Sequence, residues 1–229
     1  MATFKIKESH VRPLVSATTA VFILLAAANA LAAFPHHALC LAVGALCIGS
    51  LWLTPWEITL ALLFSALGDL CGSCGNLPAQ MGTFAIAHIL YIYFFARRYH
   101  RKVEPDGKLT ARAKGFLMMM SFCILSLLAL VFVKVVPAAP EGILQVGVGI
   151  YAVIICTMML TAMLQRSMFY ALGALLFAIS DLALAWNMFV VPVPNADIVI
   201  LRTYFGADWL LLIRASPYKV PQQIHLLRF

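Results

Sequence analysis

Two aspartates end apolar segments whose sequences resemble each other. Asp69 lies near the end of LLFSALGDL (62–70), and Asp181 lies near the end of ALLFAISDL (174–182). A carboxylate at membrane depth is costly, so such residues are rare and usually face a bundle interior or a watery cavity. Two carboxyl groups in one apolar site keep a single proton, because the first ionisation suppresses the second. Such a pair supplies a general acid beside a general base, as in enzymes that cleave acetals.

The composition indicates that membrane-spanning helices position these aspartates. Of the 229 residues, 63% are hydrophobic and only 11% are charged. A spanning helix needs about 20 mostly apolar residues, so the chain accommodates about eight helices and no sizeable soluble domain. We therefore predict an all-α polytopic membrane bundle that forms a single domain over residues 1–229. The net charge of +7 is attributed to membrane orientation and not to nucleic-acid binding, because cytoplasmic loops are enriched in Lys and Arg.

Eight apolar segments are separated by turns that contain proline or glycine, or by charged links. The predicted spans cover residues 14–33, 39–53, 58–71, 81–96, 115–136, 142–164, 168 to about 186, and about 197 to 213. An irregular loop is predicted at 72–80 and a turn at 34–37. The stretch 97–114 carries seven Lys or Arg residues and is predicted to be the central cytoplasmic loop.

The distribution of basic residues sets the predicted orientation. With both termini in the cytoplasm, 14 of the 16 Lys and Arg residues lie on that side, as the positive-inside rule requires. The minimal loops favour a bacterial inner membrane. In this topology the third and seventh spans run in the same direction, so Asp69 and Asp181 lie at similar depth near the outer ends. The basic loop separates two groups of four spans, which predicts a 4+4 parallel repeat.

Further polar residues in the apolar segments are candidates for binding a substrate. They are His88, Tyr91, Asn187, Tyr204 and Asp208. His88 and Tyr91 are three residues apart and therefore share a helical face. The alternative is structural: each aspartate caps or pairs with a neighbouring helix, and the histidine is a satisfied polar residue within the bundle.

A metal centre is another alternative. Zinc normally needs three or four His, Cys or carboxylate ligands. His36 and His37 lie in the first outer loop, and Cys71 and Cys74 form a lone CxxC, which is a weak metal or redox signal. We predict no metal and no cofactor, and a metal-dependent site stays open as the competing hypothesis.

Four motifs resemble the YhhN-type lysoplasmalogenase family. They are SALGDL (65–70), AIAHILY (85–91), GALLFAISDLALAWN (173–187) and TYFGADWLL (203–211). The resemblance extends from about the second span to the eighth. In that family the last motif commonly carries glutamine where this chain has Asp208. The resemblance implies an eight-span membrane hydrolase that cleaves the sn-1 vinyl ether of lysoplasmalogens, which yields a fatty aldehyde and glycerophosphoethanolamine or glycerophosphocholine.

The implied reaction suits the two carboxyl groups. One aspartic acid would donate a proton to the vinyl ether, and the other, ionised, would stabilise the resulting cation and activate water. The apolar spans would hold the chain of a lysophospholipid substrate among the membrane lipids, and the polar candidates would position water or the headgroup. The competing hypotheses are a metal-dependent lipid hydrolase of the ceramidase-like type and a proton-coupled transporter. The number of copies that assemble is not predicted.

Overall fold

The protein is described by a computed structural model over residues 8–30, 39–100 and 111–217. Within these ranges the chain forms helices and no strand, which confirms the predicted all-α class. The α-helices of the described ranges are α1 (Glu8–Ala30), α2 (Leu39–Leu53), α3 (Trp56–Ser73), α4 (Leu77–His100), α5 (Ala111–Leu130), α6 (Ile143–Met163), α7 (Met168–Phe189) and α8 (Ala196–Ala215). The turn predicted at 34–37, which includes His36 and His37, lies outside the described residues.

Within the described ranges, five helices are long and apolar enough to cross a membrane. These spans are Ser9–Asn29, Leu77–Tyr99, Lys114–Ala138, Ile143–Met163 and Met168–Phe189. Large apolar side chains on them are left uncovered by the protein: Met118, Phe122 and Ile143 are 73%, 71% and 94% exposed. Extended apolar surface of this kind marks a contact with lipid. The chain is an integral membrane protein.

The connection between α3 and α4 is much shorter than the loop predicted at 72–80, so that prediction is wrong. Only residues 74–76 lie outside the two helices. Gly75 has a φ of +73°, a left-handed conformation that glycine adopts without a steric penalty. The Asn76 side-chain oxygen accepts a hydrogen bond from the backbone N–H of Ala79 at 3.2 Å, as an N-cap residue does. The glycine and the asparagine therefore mark where one helix ends and the next begins.

The predicted cytoplasmic loop at 97–114 is helical at both ends. Helix α4 continues to His100 and α5 already begins at Ala111, so the predicted boundaries of this loop are wrong. The charged residues do not end the helices, because long Lys and Arg side chains extend from a helix end into the polar zone of a membrane. The remaining residues of the loop, 101–110, lie outside the described residues.

The chain divides into two compact units, which share helices α4 and α8. Unit 1 comprises residues 1–91 and 208–222, and unit 2 comprises residues 92–207 and 223–229. These boundaries differ from the two groups of four spans that the sequence suggested. The single domain and the 4+4 repeat stay predictions.

Unit 1 has a small apolar core formed by α1, α2 and the end of α8. Its members are Val11, Val15 and Leu53, with Leu14 and Ile213 packed against them. Helix α3 joins α2 through polar contacts: the Ser50 hydroxyl donates a hydrogen bond to the Thr59 hydroxyl at 3.0 Å. These contacts fix α3, the helix that carries Asp69.

Unit 2 consists of antiparallel helix neighbours held by a few polar contacts. Between α5 and α6, the Cys156 thiol lies 3.9 Å from the carbonyl oxygen of Ile124. Between α7 and α8, the Ser180 hydroxyl donates a hydrogen bond to the carbonyl oxygen of Ile200 at 3.0 Å. The paired helices are antiparallel, so their residue numbers run in opposite directions. Each contact therefore defines which residues of the two helices lie opposite each other.

Candidate functional site

Asp69 lies four residues before the end of α3, half-buried, and close enough to the Cys40 thiol of α2 to interact with it electrostatically. One turn earlier on the same helix, Ser65 is fully buried. The Ser65 hydroxyl finds no hydrogen-bond partner among the described residues. The face of α3 that leads to Asp69 is therefore polar as well as buried.

Two glycines allow α4 to pack closely against this face of α3. A Cβ atom added at Gly68 would lie 2.9 Å from the Phe84 ring, and one at Gly72 would lie 2.5 Å from the Gln80 side chain. Both pairs belong to one antiparallel register, in which Asp69 is level with about residue 83. At about 1.5 Å of rise per residue, His88 lies roughly 7–8 Å farther along α4. His88 is therefore not level with Asp69 along the two helices.

His88 is fully buried, and its ring is held by its own helix. The Nδ1 atom lies 2.6 Å from the carbonyl oxygen of Phe84. A carbonyl oxygen only accepts hydrogen bonds, so Nδ1 carries the hydrogen and donates it. In the neutral ring, the Nε2 atom is then the acceptor. This hydrogen bond therefore fixes the tautomer and the orientation of the buried ring.

Tyr91 and Asp208 form a buried hydrogen bond between α4 and α8. The Tyr91 hydroxyl donates to a carboxylate oxygen of Asp208 at 3.2 Å, and both residues have 0% exposure. Both belong to unit 1. Because His88 precedes Tyr91 by one turn on the same face, unit 1 brings three of the predicted binding residues into one region.

Loss of the Tyr91–Asp208 bond should destabilise the protein measurably. In the Tyr91→Phe variant the buried carboxylate loses its donor, and we expect a loss of about 1–2 kcal/mol in the free energy of unfolding in detergent. The Tyr93→Phe variant is the matched control, because Tyr93 lies on the same helix and is 49% exposed. Equal stability of the two variants would show that the bond contributes nothing.

Asp181 lies on α7 in unit 2 and has a partner that the sequence reasoning missed. The hydroxyl of Tyr151, on α6, donates a hydrogen bond to the Asp181 carboxylate. The sequence does contain a feature that points to this partner, because Tyr151 interrupts the otherwise apolar run VGVGIYAVII (146–155). Polar groups within a membrane normally bond to one another across helices, and this bond fixes the position of the Asp181 side chain.

Measured along the helix axes of unit 2, Tyr204 lies one to two turns from the level of Asp181, toward the start of α7. Its buried ring meets the Phe177 ring edge-on at a centroid distance of 5.8 Å. The Ser180 hydroxyl of α7 donates its hydrogen bond to the carbonyl oxygen of Ile200 on α8. Because Ile200 is level with Ser180, Tyr204 is about 7–8 Å farther along the helix than Asp181.

Asn187 holds the connection between α7 and α8. Its side-chain oxygen accepts a hydrogen bond from the backbone N–H of Val193 at 2.8 Å. This contact closes the loop that follows α7, in the way that asparagine side chains commonly stabilise turns. The Asn187 side chain therefore stabilises the turn at the end of the helix that carries Asp181.

The predicted site residues thus form two groups. Asp69, His88, Tyr91 and Asp208 lie in unit 1, whereas Asp181, Asn187 and Tyr204 lie in unit 2. Direct contacts join Tyr91 to Asp208 and Asp181 to the unpredicted Tyr151. The predicted pairing of Asp69 with Asp181 stays a prediction.

Comparison with known proteins assigns the chain to a family. The sequence profile of the YhhN family matches residues 11–215. The chain belongs to the YhhN family. This result confirms the resemblance carried by the four sequence motifs, and the matched range includes both groups of candidate residues in this YhhN-family chain.

Among its relatives, the YhhN-family chain is similar to lysoplasmalogenase TMEM86B of Homo sapiens, with 32% identity over 71% of this chain and 64% of that protein. It is 31% identical to lysoplasmalogenase TMEM86B of Sus scrofa over 68% of this chain and 62% of that protein. It is also 31% identical to lysoplasmalogenase TMEM86A of Bos taurus over 72% and 67% of the two chains. The chain therefore spans less than two thirds of the first two relatives. No solved structure matches it significantly.

Proposed function

We propose that this YhhN-family protein is a lysoplasmalogenase that cleaves the sn-1 vinyl ether bond of lysoplasmalogens. The products would be a fatty aldehyde and glycerophosphoethanolamine or glycerophosphocholine. The relatives named lysoplasmalogenase support the activity. The structural observation that carries the proposal is the Asp181 carboxylate, which the Tyr151 hydroxyl holds on a largely apolar helix. A fixed intramembrane carboxylate suits acid–base chemistry on a lipid.

The reaction requires a proton donor and an activated water. Protonation of the β carbon of the vinyl ether gives an oxocarbenium ion. Water then adds to the cationic carbon and loses a proton, which gives a hemiacetal. The hemiacetal collapses to the aldehyde, and the glycerol oxygen leaves as an alcohol. One carboxylic acid and one carboxylate provide both proton transfers and stabilise the cation between them.

In this proposal Asp69 and Asp181 are the catalytic carboxyl groups. The buried group of His88, Tyr91 and Asp208 would bind the polar part of the substrate in unit 1, where the His88 Nε2 acceptor can receive a hydrogen bond. Asn187 and Tyr204 complete the proposed binding set. The long apolar faces of the helices would accommodate the hydrocarbon chain of a lysophospholipid.

Hydrolysis in heavy water tests both the activity and the mechanism. The purified full-length chain in detergent is expected to release fatty aldehyde from a 1-alkenyl lysophosphoethanolamine, with no gradient present. In D₂O the aldehyde, trapped at once by reduction, should carry one deuterium on the carbon next to the former carbonyl, because the β carbon takes its proton from the acid. Mass spectrometry of the trapped alcohol measures this label.

The matched control substrate is the saturated 1-alkyl ether, which has no double bond to protonate and should not react. Absence of aldehyde from the alkenyl substrate would contradict the proposed function. Aldehyde without deuterium would contradict carbon protonation. Loss of the rate on addition of EDTA would favour the metal-dependent hypothesis.

A further inference from the structure

One end of unit 2 carries basic residues at several neighbouring positions. This end is formed by the last turn of α4, the start of α5 and the link between α6 and α7. Its described basic residues are Arg97, Arg98, Lys114 and Arg166. The described acidic residues of unit 2 lie elsewhere: Glu141 before α6, Asp181 in the second half of α7 and Asp197 at the start of α8. Among the described residues of unit 2, basic and acidic side chains are therefore segregated along the unit.

Helix register shows that these basic residues share one level. The contact of Cys156 with Ile124 sets α5 against α6 as antiparallel neighbours, and continuation of that register places Lys114 level with Arg166. The same end of α6 is tied to α4, because the Gln165 amide donates a hydrogen bond to the carbonyl oxygen of Phe95 at 2.8 Å.

Arg98 is the centre of this basic end. Its guanidinium carbon lies 5.7 Å from the centroid of the Tyr170 ring on α7, which is within the range of a cation–π interaction. Tyr170 is fully buried and its ring also packs against the Phe95 ring at 5.1 Å. The aromatic contacts hold the guanidinium group at one place at the end of the helix bundle.

The polar groups at this place are incompletely satisfied. The Arg98 Nε atom is buried and has no hydrogen-bond partner among the described residues, and the same holds for the Gln165 Oε1 atom. Gln165 as a whole is only 5% exposed. Leaving such groups unpaired is costly. A guanidinium group that is held in position, with no acidic neighbour among the described residues of unit 2, is suited to an external anion.

We propose that Arg98, supported by Gln165 and the neighbouring basic residues, binds the phosphate of an anionic phospholipid headgroup. In a membrane the lipid phosphates are the anions that meet the end of a helix bundle, and basic pockets between helices bind them. The planar guanidinium group donates paired hydrogen bonds to phosphate oxygens. The Gln165 oxygen accepts a hydrogen bond from a headgroup hydroxyl, which favours a glycerol headgroup.

This lipid site is distinct from the proposed catalytic site. Asp181 follows Tyr170 by 11 residues on α7, which corresponds to about 16 Å along the helix. The vinyl ether of a lysoplasmalogen is only a few bonds from its phosphate, so a substrate bound at Arg98 would not reach Asp181. The lipid bound there is therefore a membrane constituent and not the substrate.

Lipid binding by the purified full-length chain tests the proposal. Native mass spectrometry in detergent should show that dioctanoyl phosphatidylglycerol binds more tightly than dioctanoyl phosphatidylcholine. The Arg98→Gln variant should bind phosphatidylglycerol at least about tenfold more weakly, because it loses charge-assisted hydrogen bonds. Arg202→Gln is the matched control, since Arg202 is exposed on α8 in the same unit and away from this end. It should bind like the wild type.

Equal affinity of the Arg98→Gln and Arg202→Gln variants would overturn the proposal, as would equal affinity of the wild type for the two lipids. Inorganic phosphate serves as the competitor: displacement of the lipid at matched concentration would assign the site to free phosphate and overturn the lipid assignment. If Arg98→Gln does not fold, Arg98→Lys keeps the charge but loses the planar group. Its affinity should be several-fold lower than that of the wild type, and unchanged affinity would overturn the role of Arg98.

Discussion

The Asp181→Asn variant is expected to release fatty aldehyde about 10²–10⁴-fold more slowly than the wild type, because a positioned acid or base contributes this much to a reaction. Asparagine has nearly the same shape and can still accept the hydrogen bond from Tyr151, so the helix packing should survive. The fall should therefore appear in kcat while the thermal stability changes little. Steady-state kinetics in detergent and a melting curve measure the two quantities.

The matched control for Asp181 is Asp197→Asn. Asp197 lies in the first turn of α8 in the same unit and is exposed. The control should retain wild-type kinetics. A fully active Asp181→Asn variant would remove Asp181 from the acid–base role, and the proposed mechanism would then lack its structural basis.

The Asp69→Asn variant is expected to lose a similar factor, about 10²–10⁴ in aldehyde release. Asp69 sits on the polar face of α3, close to Cys40, and the exchange removes only its ability to carry a proton or a charge. The control on the same helix is Glu57→Gln, which removes a buried carboxyl three turns away. That variant should fold less stably but turn over substrate at the wild-type rate per folded molecule.

The double variant Asp69→Asn/Asp181→Asn tests whether the two residues act together. Residues that serve one transition state as a unit show strongly non-additive effects. We therefore expect the double variant to be about as slow as the slower single variant. If the two losses multiply instead, Asp69 and Asp181 act in separate steps, and the predicted acid–base pair is wrong.

The sequence predicted the membrane helices well and their ends poorly. Apolar runs long enough to span a bilayer are recognised by composition alone, and the helices found in the described ranges correspond to the predicted spans. The errors concern the connections at 72–80 and 97–114. There, a single glycine reverses the chain at Gly75, and basic residues continue the helices around Arg97 and Lys114. Hydropathy does not report such local backbone geometry.

For the candidate site, too, the sequence predicted some features and missed others. The sequence singled out Asp69 and Asp181 because a carboxyl group in an apolar run is costly wherever the helix packs. It did not pair Tyr91 with Asp208 or Tyr151 with Asp181, because each bond joins residues that are remote along the chain. A hydrogen bond between helices depends on register and rotation, which a single apolar segment does not encode.

By itself, therefore, the sequence determined that this chain lies in a membrane as a helical bundle. It also determined that Asp69 and Asp181 are its unusual residues. Both conclusions follow from the free energy of transferring individual side chains from water into a membrane, which does not depend on how the helices pack. Only the tertiary structure decided which hydroxyl groups meet the buried carboxylates and that Arg98 rests against the Tyr170 ring. Those contacts depend on how the faces of separate helices pack. Close packing at small residues such as Gly68 sets that arrangement.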